Sequence, residues 1–190
     1  MSMRETLQKK GYTVSTFATA AQAADYLDTV IDGVSVGIGG SMTVEQMGLY
    51  DRLQSHNTVH WHWKGGDVTQ AAVADVYLTS VNALSENGEI INIDGIGNRV
   101  ASMFYGHKKV YLLVGKNKIA PDFESALHRA RNIAAPLNAK RLNKATPCVK
   151  GGRCFDCRSP ERICRELAVL WQCPMQANIE IVLIDQPLGY

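Results

Sequence analysis

Four cysteines fall within 17 residues, Cys148, Cys154, Cys157 and Cys164, spaced C-x5-C-x2-C-x6-C. Thiolates are soft ligands, and four together suit tetrahedral zinc or an iron–sulfur cluster. The spacing matches neither common pattern closely, so thiols packed in a compact loop, or partial disulfides formed on handling, stand as the alternative. A centre held by four thiolates would be anionic. Residues 140–165 carry eight basic side chains (Lys140, Arg141, Lys144, Lys150, Arg153, Arg158, Arg162, Arg165) against Asp156 and Glu161. That segment is therefore +6, which leaves −4 for the rest of a chain whose total is +2, and its cations could offset the thiolates. Cys173 stands apart and reads as a lone core thiol.

A second constellation is VGIGGSMTVEQ, residues 36–46. An apolar strand ends in Gly39, Gly40 and Ser41, and a helix follows with Thr43 and Gln46 at capping-box spacing. Glycines let backbone N–H groups approach an anion, and a helix start adds partial positive charge. Ser41 and Thr43 add hydroxyl donors. The plainer alternative is a tight strand-to-helix turn in which Thr43 only caps.

The third is SENGEIINIDGIGNR, residues 85–99, where three Asn, two Glu, one Asp and three Gly are threaded through four isoleucines. Asn-Gly and Asp-Gly turns needing positive φ, with Asn98 as a helix cap, explain Asn87-Gly88 and Asp94-Gly95. They do not explain Glu86, Asn92 or Arg99. The expectation is a site at strand ends that gathers Asn82, Glu86, Asn92, Asp94, Gly95, Asn98 and Arg99 near the glycine turn. Glu86 is the candidate base or nucleophile, sharing a pocket with Ser41, Asn92, Asp94 and Arg99. His60 and His62 alternate with Trp61 and Trp63, which reads as an ordinary strand rather than a metal pair.

Something must hold these groups in place. Apolar β-branched runs at 12–18, 34–38, 57–63, 75–81, 89–93, 108–115 and 179–184 read as strands. Between them, helices are expected after Thr19 with Gln22 at capping-box spacing, over 43–53, over 98–106, and from Pro121 until Pro136 bends or ends the last one. PERICRELAVLW fits a further helix with Pro160 in its first turn. Alternating strands and helices, with continuous Val/Ile/Leu strands, imply an α/β fold around a mostly parallel sheet. Ligands in such sheets bind at the carboxyl ends of strands.

Length and composition suit one domain, with a compositional break near residue 143 where the basic Cys segment begins. No apolar run reaches the ~18 residues of a membrane span, and the start carries no apolar signal core, so the expected compartment is the cytoplasm. A near-neutral net charge argues against general nucleic-acid binding.

Taken together, VGIGGSMT (36–43), DVYLTSVNALSENGEIINIDGIGNRVA (75–101) and KKVYLLVGKNKI (108–119) resemble the LUD domain, named for lactate utilisation. The ending TPCVKGGRCFDCRSPERIC (146–164) is similar to a Cys-bearing subgroup of that family. The resemblance implies a Rossmann-like fold similar to the ribose-5-phosphate isomerase, glucosamine-6-phosphate deaminase and coenzyme A transferase group. There the glycine turn holds a phosphate or carboxylate, and Gly39, Gly40 and Ser41 match it in type. Ser85, Glu86, Asn87 and Gly88 resemble a transferase turn whose Glu forms a thioester. Three functions follow as expectations. One is an accessory protein of lactate or related organic-acid oxidation, binding a small anionic metabolite beside other subunits and passing electrons through its Cys segment. Another is a stand-alone isomerase or transferase that uses Glu86. The third is a binding module with a structural metal and a basic segment that docks an acidic partner. A homo-oligomer is compatible with each.

Overall fold

Capping fixes where the first helices start. In the computed structural model, which describes residues 1–190, Ser2 and Glu5 form a capping box at α1 (Met3–Lys9). After β1 (Thr13–Phe17), Thr19 and Gln22 do the same at α2 (Ala20–Val30), as their spacing predicts. β2 (Ser35–Ile38) then runs into the glycine turn. The single helix expected over 43–53 is two short ones, α3 (Met42–Gln46) and α4 (Leu49–Leu53), broken at Gly48 with φ of 63°. The cap of α3 is Ser41, whose Oγ accepts from the Val44 N–H at 3.2 Å. Thr43 lies inside the helix, fully buried, so its spacing to Gln46 misleads. Gln46 instead accepts from the Gly189 N–H at 2.7 Å.

β3 (Thr58–Trp61) stops short of its expected end, because His62–Lys64 coil into a single 3₁₀ turn closed by Gly65 at φ of 81°. The His/Trp alternation ends there too, and Trp61 and Trp63 stack at 5.2 Å instead of taking fixed places on one strand face. α5 (Val68–Ala72) leads into β4 (Val76–Ser80), every residue of which is buried. Next come β5 (Ala83–Ser85), β6 (Ile90–Asp94), α6 (Asn98–Phe104), β7 (Lys109–Gly115) and β8 (Ile119–Ala120). β5 is hidden in the sequence, being only three residues long. The cap of α6 is Gly97 at φ of 87°, not Asn98.

Pro136 does not end its helix. α7 (Phe123–Arg129) continues through a π-helical turn (Ala130–Ala134) into α8 (Ala135–Arg141). The wider turn re-phases the backbone, so Pro136 sits in the first turn of α8, where its missing N–H and its ring cost least. α9 (Pro147–Gly151) is a short helix within the Cys segment. The helix expected over 160–171 does not form. Residues 166–170 are β9 (Glu166–Leu170), paired antiparallel with all of β6. Five cross-strand partners outweigh a local helical preference. β10 (Ile179–Ile184) ends the regular structure.

Six strands form one sheet in the order β1-β10-β7-β4-β2-β3, all parallel. α2, α3 and α4 cover one face through Leu27, Val44, Leu49 and Leu53. α1, α6 and a second sheet, β8-β5-β6-β9, cover the other through Leu7, Met103, Leu84 and Ile90. Leu78 faces the first core and Tyr77 the second, as strand periodicity requires of neighbours buried on both sides.

Candidate functional site

From β2 the chain moves outward to β3, and from β4 it moves the other way to β7 and β10. β2 and β4 are neighbours, so the strand order reverses between them, and a crevice must open beyond their carboxyl ends. A cleft of about 470 Å³ lies there. Its floor is Gly40 and Ser41 after β2, with Ser80, Val81 and Asn82 at the end of β4. One wall is Asp94, Gly95, Asn98 and Arg99 between β6 and α6, and the other is α8 with the chain around Arg162.

Seven of the residues singled out in the sequence border this cleft: Gly40, Ser41, Asn82, Asp94, Gly95, Asn98 and Arg99. Gly39, Thr43 and Asn92 lie just beneath it and serve packing. A Cβ on Gly39 would come within 2.7 Å of the Tyr77 hydroxyl and 2.9 Å of Thr79 Oγ1. Asn92 Oδ1 accepts from the Asn82 N–H at 3.0 Å, and Asn82 Oδ1 accepts from the Ile93 N–H at 2.7 Å. The two amides thus fasten the start of β5 to the end of β6. Asp94 accepts from the Gly95 N–H at 2.8 Å and the Val100 N–H at 3.3 Å, which places its charge at the start of α6. Arg99 donates to the Ile93 carbonyl at 2.6 Å and lies 3.6 Å from Asp94. Gly95 is required by contact, not by φ, since a Cβ would sit 2.6 Å from the Ile163 carbonyl oxygen.

Glu86 does not join this group. It is exposed at the tip of the β5–β6 hairpin, where Gly88 takes φ of 86° and donates to the Ser85 carbonyl at 2.9 Å. That tip packs on α1, with Lys10 3.8 Å from Glu89. β6 runs from the tip to the cleft, and its ends, Ile90 and Asp94, stand about 13 Å apart. The expectation of a pocket shared by Glu86, Ser41, Asn92, Asp94 and Arg99 fails because β5 and β6 are antiparallel, so the turn joining them lies at the far end from the cleft.

The sequence reading missed several groups that do meet here. Arg141 lies 4.3 Å over the Trp63 ring and is held by Asn138 Oδ1 at 2.9 and 3.1 Å. Arg162, Lys144 and His62 also border the cleft, and burial with the Arg141 charge lowers the His62 pKa. Lys118 is 4% exposed, and its Nζ donates to Ser80 Oγ and to the Val81 carbonyl, both at 2.9 Å. Burial, then the charges of Arg129 and Arg99, push its pKa down to about 7. Arg129, itself buried, donates to the Asn117 carbonyl at 2.7 Å and to the Asn82 carbonyl, and so ties the Lys118 turn to the end of β4. Arg141, Lys144 and Arg162 did belong to the basic segment visible in the sequence. Lys118, in GKNKI, looks there like an ordinary loop lysine.

The Cys segment folds against the opposite flank of α8. Cys148, Cys154, Cys157 and Cys164 border one small cavity of about 20 Å³, with Pro136, Ala139 and Phe155 among its walls. None is in a disulfide. Donors approach two of the sulfurs: Asp156 N–H and Arg131 reach Cys154 Sγ at 3.4 and 3.8 Å, and Thr146 Oγ1 lies 3.2 Å from Cys148 Sγ. Soft donors with hydrogen bonds and cations around sulfur fit zinc or an iron–sulfur cluster in chemistry. The thiols have not converged to metal-ligand spacing in this conformation. Arg162 borders both this cavity and the cleft.

A parallel six-stranded sheet, covered by helices on one face and by helices with a second sheet on the other, defines a Rossmann-like α/β protein. The sequence profile of the LUD domain matches residues 1–184, and the chain belongs to that family. Family membership associates it, at that level, with lactate utilisation. The crystal structure of a DUF162 family protein from Deinococcus radiodurans has the same fold, with a TM-score of 0.55 and 12% identity over 96% of this chain and 93% of that one. No curated protein matches. No helix is long and apolar enough to cross a membrane.

Proposed function

We propose that the cleft binds a small carboxylate, lactate or a related organic acid, as this chain's part in lactate utilisation. The observation that carries the reading is a charge imbalance. Arg99, Arg141, Lys144 and Arg162 border the cleft, and the only acidic side chains there, Asp94 and Glu161, already accept backbone N–H groups. Guanidinium groups suit a planar carboxylate because they present paired donors. Partial enclosure strengthens each contact relative to open water. Calorimetric titration of the purified chain with lactate, pyruvate and phosphate tests this. A carboxylate should bind, and Arg141→Gln should weaken it by about tenfold, the loss of one charge-assisted contact. No binding at millimolar concentrations would overturn the proposal.

A second reading concerns the thiols, and its support is that four of them border one cavity. Cys148, Cys154, Cys157 and Cys164 would hold a metal centre. Zinc would brace the segment that roofs the cleft, and an iron–sulfur cluster would supply one-electron chemistry. Cluster reconstitution under anaerobic conditions, followed by metal and sulfide analysis, decides between them. Stoichiometric metal retained after Cys154→Ser/Cys157→Ser replacement would rule out this ligand set, whereas Cys173→Ser should leave the metal in place.

A further inference from the structure

Lys118 has an unusual hydrogen-bond account. Ser80 Oγ lies 2.6 Å from the Leu113 carbonyl, which can only accept, so the serine proton is committed there. Thr43 Oγ1 has one proton for Ser80 Oγ at 3.2 Å or the Leu188 carbonyl at 3.4 Å, and in either case Lys118 must donate to Ser80. The second contact of Lys118 is a carbonyl, which also only accepts. Two N–H bonds are thereby fixed, and neither partner is a carboxylate. A neutral amine has two hydrogens and one lone pair. These contacts use both hydrogens and leave the lone pair unshared, on a residue that borders the cleft. Burial beside two guanidinium groups and no close carboxylate favours that neutral form. A buried lysine poised in this way is a nucleophile toward carbonyl carbon.

We infer that Lys118 forms an imine with a 2-oxo acid held in the cleft by its carboxylate. The inference rests on the small-carboxylate reading above and narrows it to the carbonyl form, the oxidation product of a 2-hydroxy acid. The chemistry balances without an added oxidant or reductant. The amine nitrogen bonds to the carbonyl carbon, and the carbonyl oxygen takes up a proton. The carbinolamine then loses that oxygen as water while nitrogen gives up a proton, leaving C=N. Arg99 borders the same cleft, and its charge acts on Lys118, so it would hold the carboxylate.

The test is reductive trapping. The intact chain is incubated with pyruvate and cyanoborohydride, which delivers hydride to an imine carbon, and the product is mapped by peptide mass spectrometry. The expected result is one stable adduct on the peptide carrying Lys118, with exposed lysines at background. Lactate, which has no carbonyl, should give none. Lys118→Arg should lose the adduct while keeping its melting temperature near that of the parent. The peptide map of the unaltered chain decides even if that variant fails to fold. Adducts confined to surface lysines would overturn the inference. So would the absence of any adduct, and calorimetry on the same sample then separates two failures. If pyruvate binds without trapping, the imine falls and the carboxylate cleft stands. If pyruvate neither binds nor traps and no other carboxylate binds, both fall.

Discussion

The hairpin tip at Glu86–Asn87–Gly88 and the loop at Asp94–Gly95–Arg99 lie at opposite ends of β6. Both carry acids, amides and glycines. At the tip, hydrogen bonds close a turn: the Gly88 N–H reaches the Ser85 carbonyl, and the Glu86 N–H reaches the Ala120 carbonyl at 2.8 Å. The Glu86 side chain is left in solvent. At the loop, Asp94 accepts from the Val100 N–H in the first turn of α6, Arg99 braces Ile93, and both border a cleft together with Lys118. The difference teaches that residue type is not what makes a site. The loop lies where the parallel sheet reverses its strand order, and the tip lies at the closed end of an antiparallel pair.

Substitutions at the two ends should therefore differ in size. The largest effect is expected from Gly95→Val. Its Cβ would meet the Ile163 carbonyl, a backbone atom that cannot move aside cheaply, so unfolding should become easier by about 2–3 kcal/mol. Chemical denaturation measures this, and a cost below about 0.5 kcal/mol would show that the wall is pliant.

The next effect is a pH dependence. Lys118 has its pKa lowered from 10.5 to about 7 in the folded chain, by burial first and then by Arg129 and Arg99. Between those values the unfolded lysine holds a proton that the folded one has released, so stability must rise with pH across that window. The gain is complete above the unfolded value and is lost as pH falls toward 7. The slope attributable to one group is at most about 1.4 kcal/mol per pH unit. Lys118→Met should lack this slope. If parent and variant differ by a constant amount from pH 7 to 9, the folded lysine keeps its proton.

Arg99→Gln comes third. It removes a charge from the cleft and keeps a donor for Ile93, so carboxylate affinity should fall by about tenfold with little loss of stability. Glu86→Gln is the smallest. It should change carboxylate affinity by less than about twofold and stability by less than about 0.5 kcal/mol, as for an exposed site away from special geometry. A large loss of ligand binding in Glu86→Gln would erase the contrast between the two ends.

Much of the frame was legible in the sequence, because apolar periodicity and capping are local. The seven expected strand segments all form strands, with β3 cut short at Trp61, and the Thr19–Gln22 box stands where its spacing puts it. Local rules failed where distant partners outbid them. Residues 160–171 carry a helix-compatible pattern, yet 166–170 extend along β6. Thr43 and Gln46 have a cap's spacing, yet Ser41 caps and Thr43 is buried against Ser80. Pro136 should bend or end its helix, yet a π turn shifts it to a tolerated position and the helix runs on.

By itself the sequence determined the α/β frame, the glycine turn after β2, the polar stretch around Asp94, and the clustering of cysteines and cations near the C-terminus. These follow from residues close together in the chain. The tertiary structure decided which of them meet. It took Glu86 out of the cleft by pairing β5 and β6 antiparallel, and it brought Arg141 and Arg162 in by folding the basic segment over the strand ends. It also turned Lys118 from a loop lysine into a buried amine. Burial, and with it the protonation of that amine, depends on Ser80, Val81, Arg99 and Arg129, which converge only when the sheet forms.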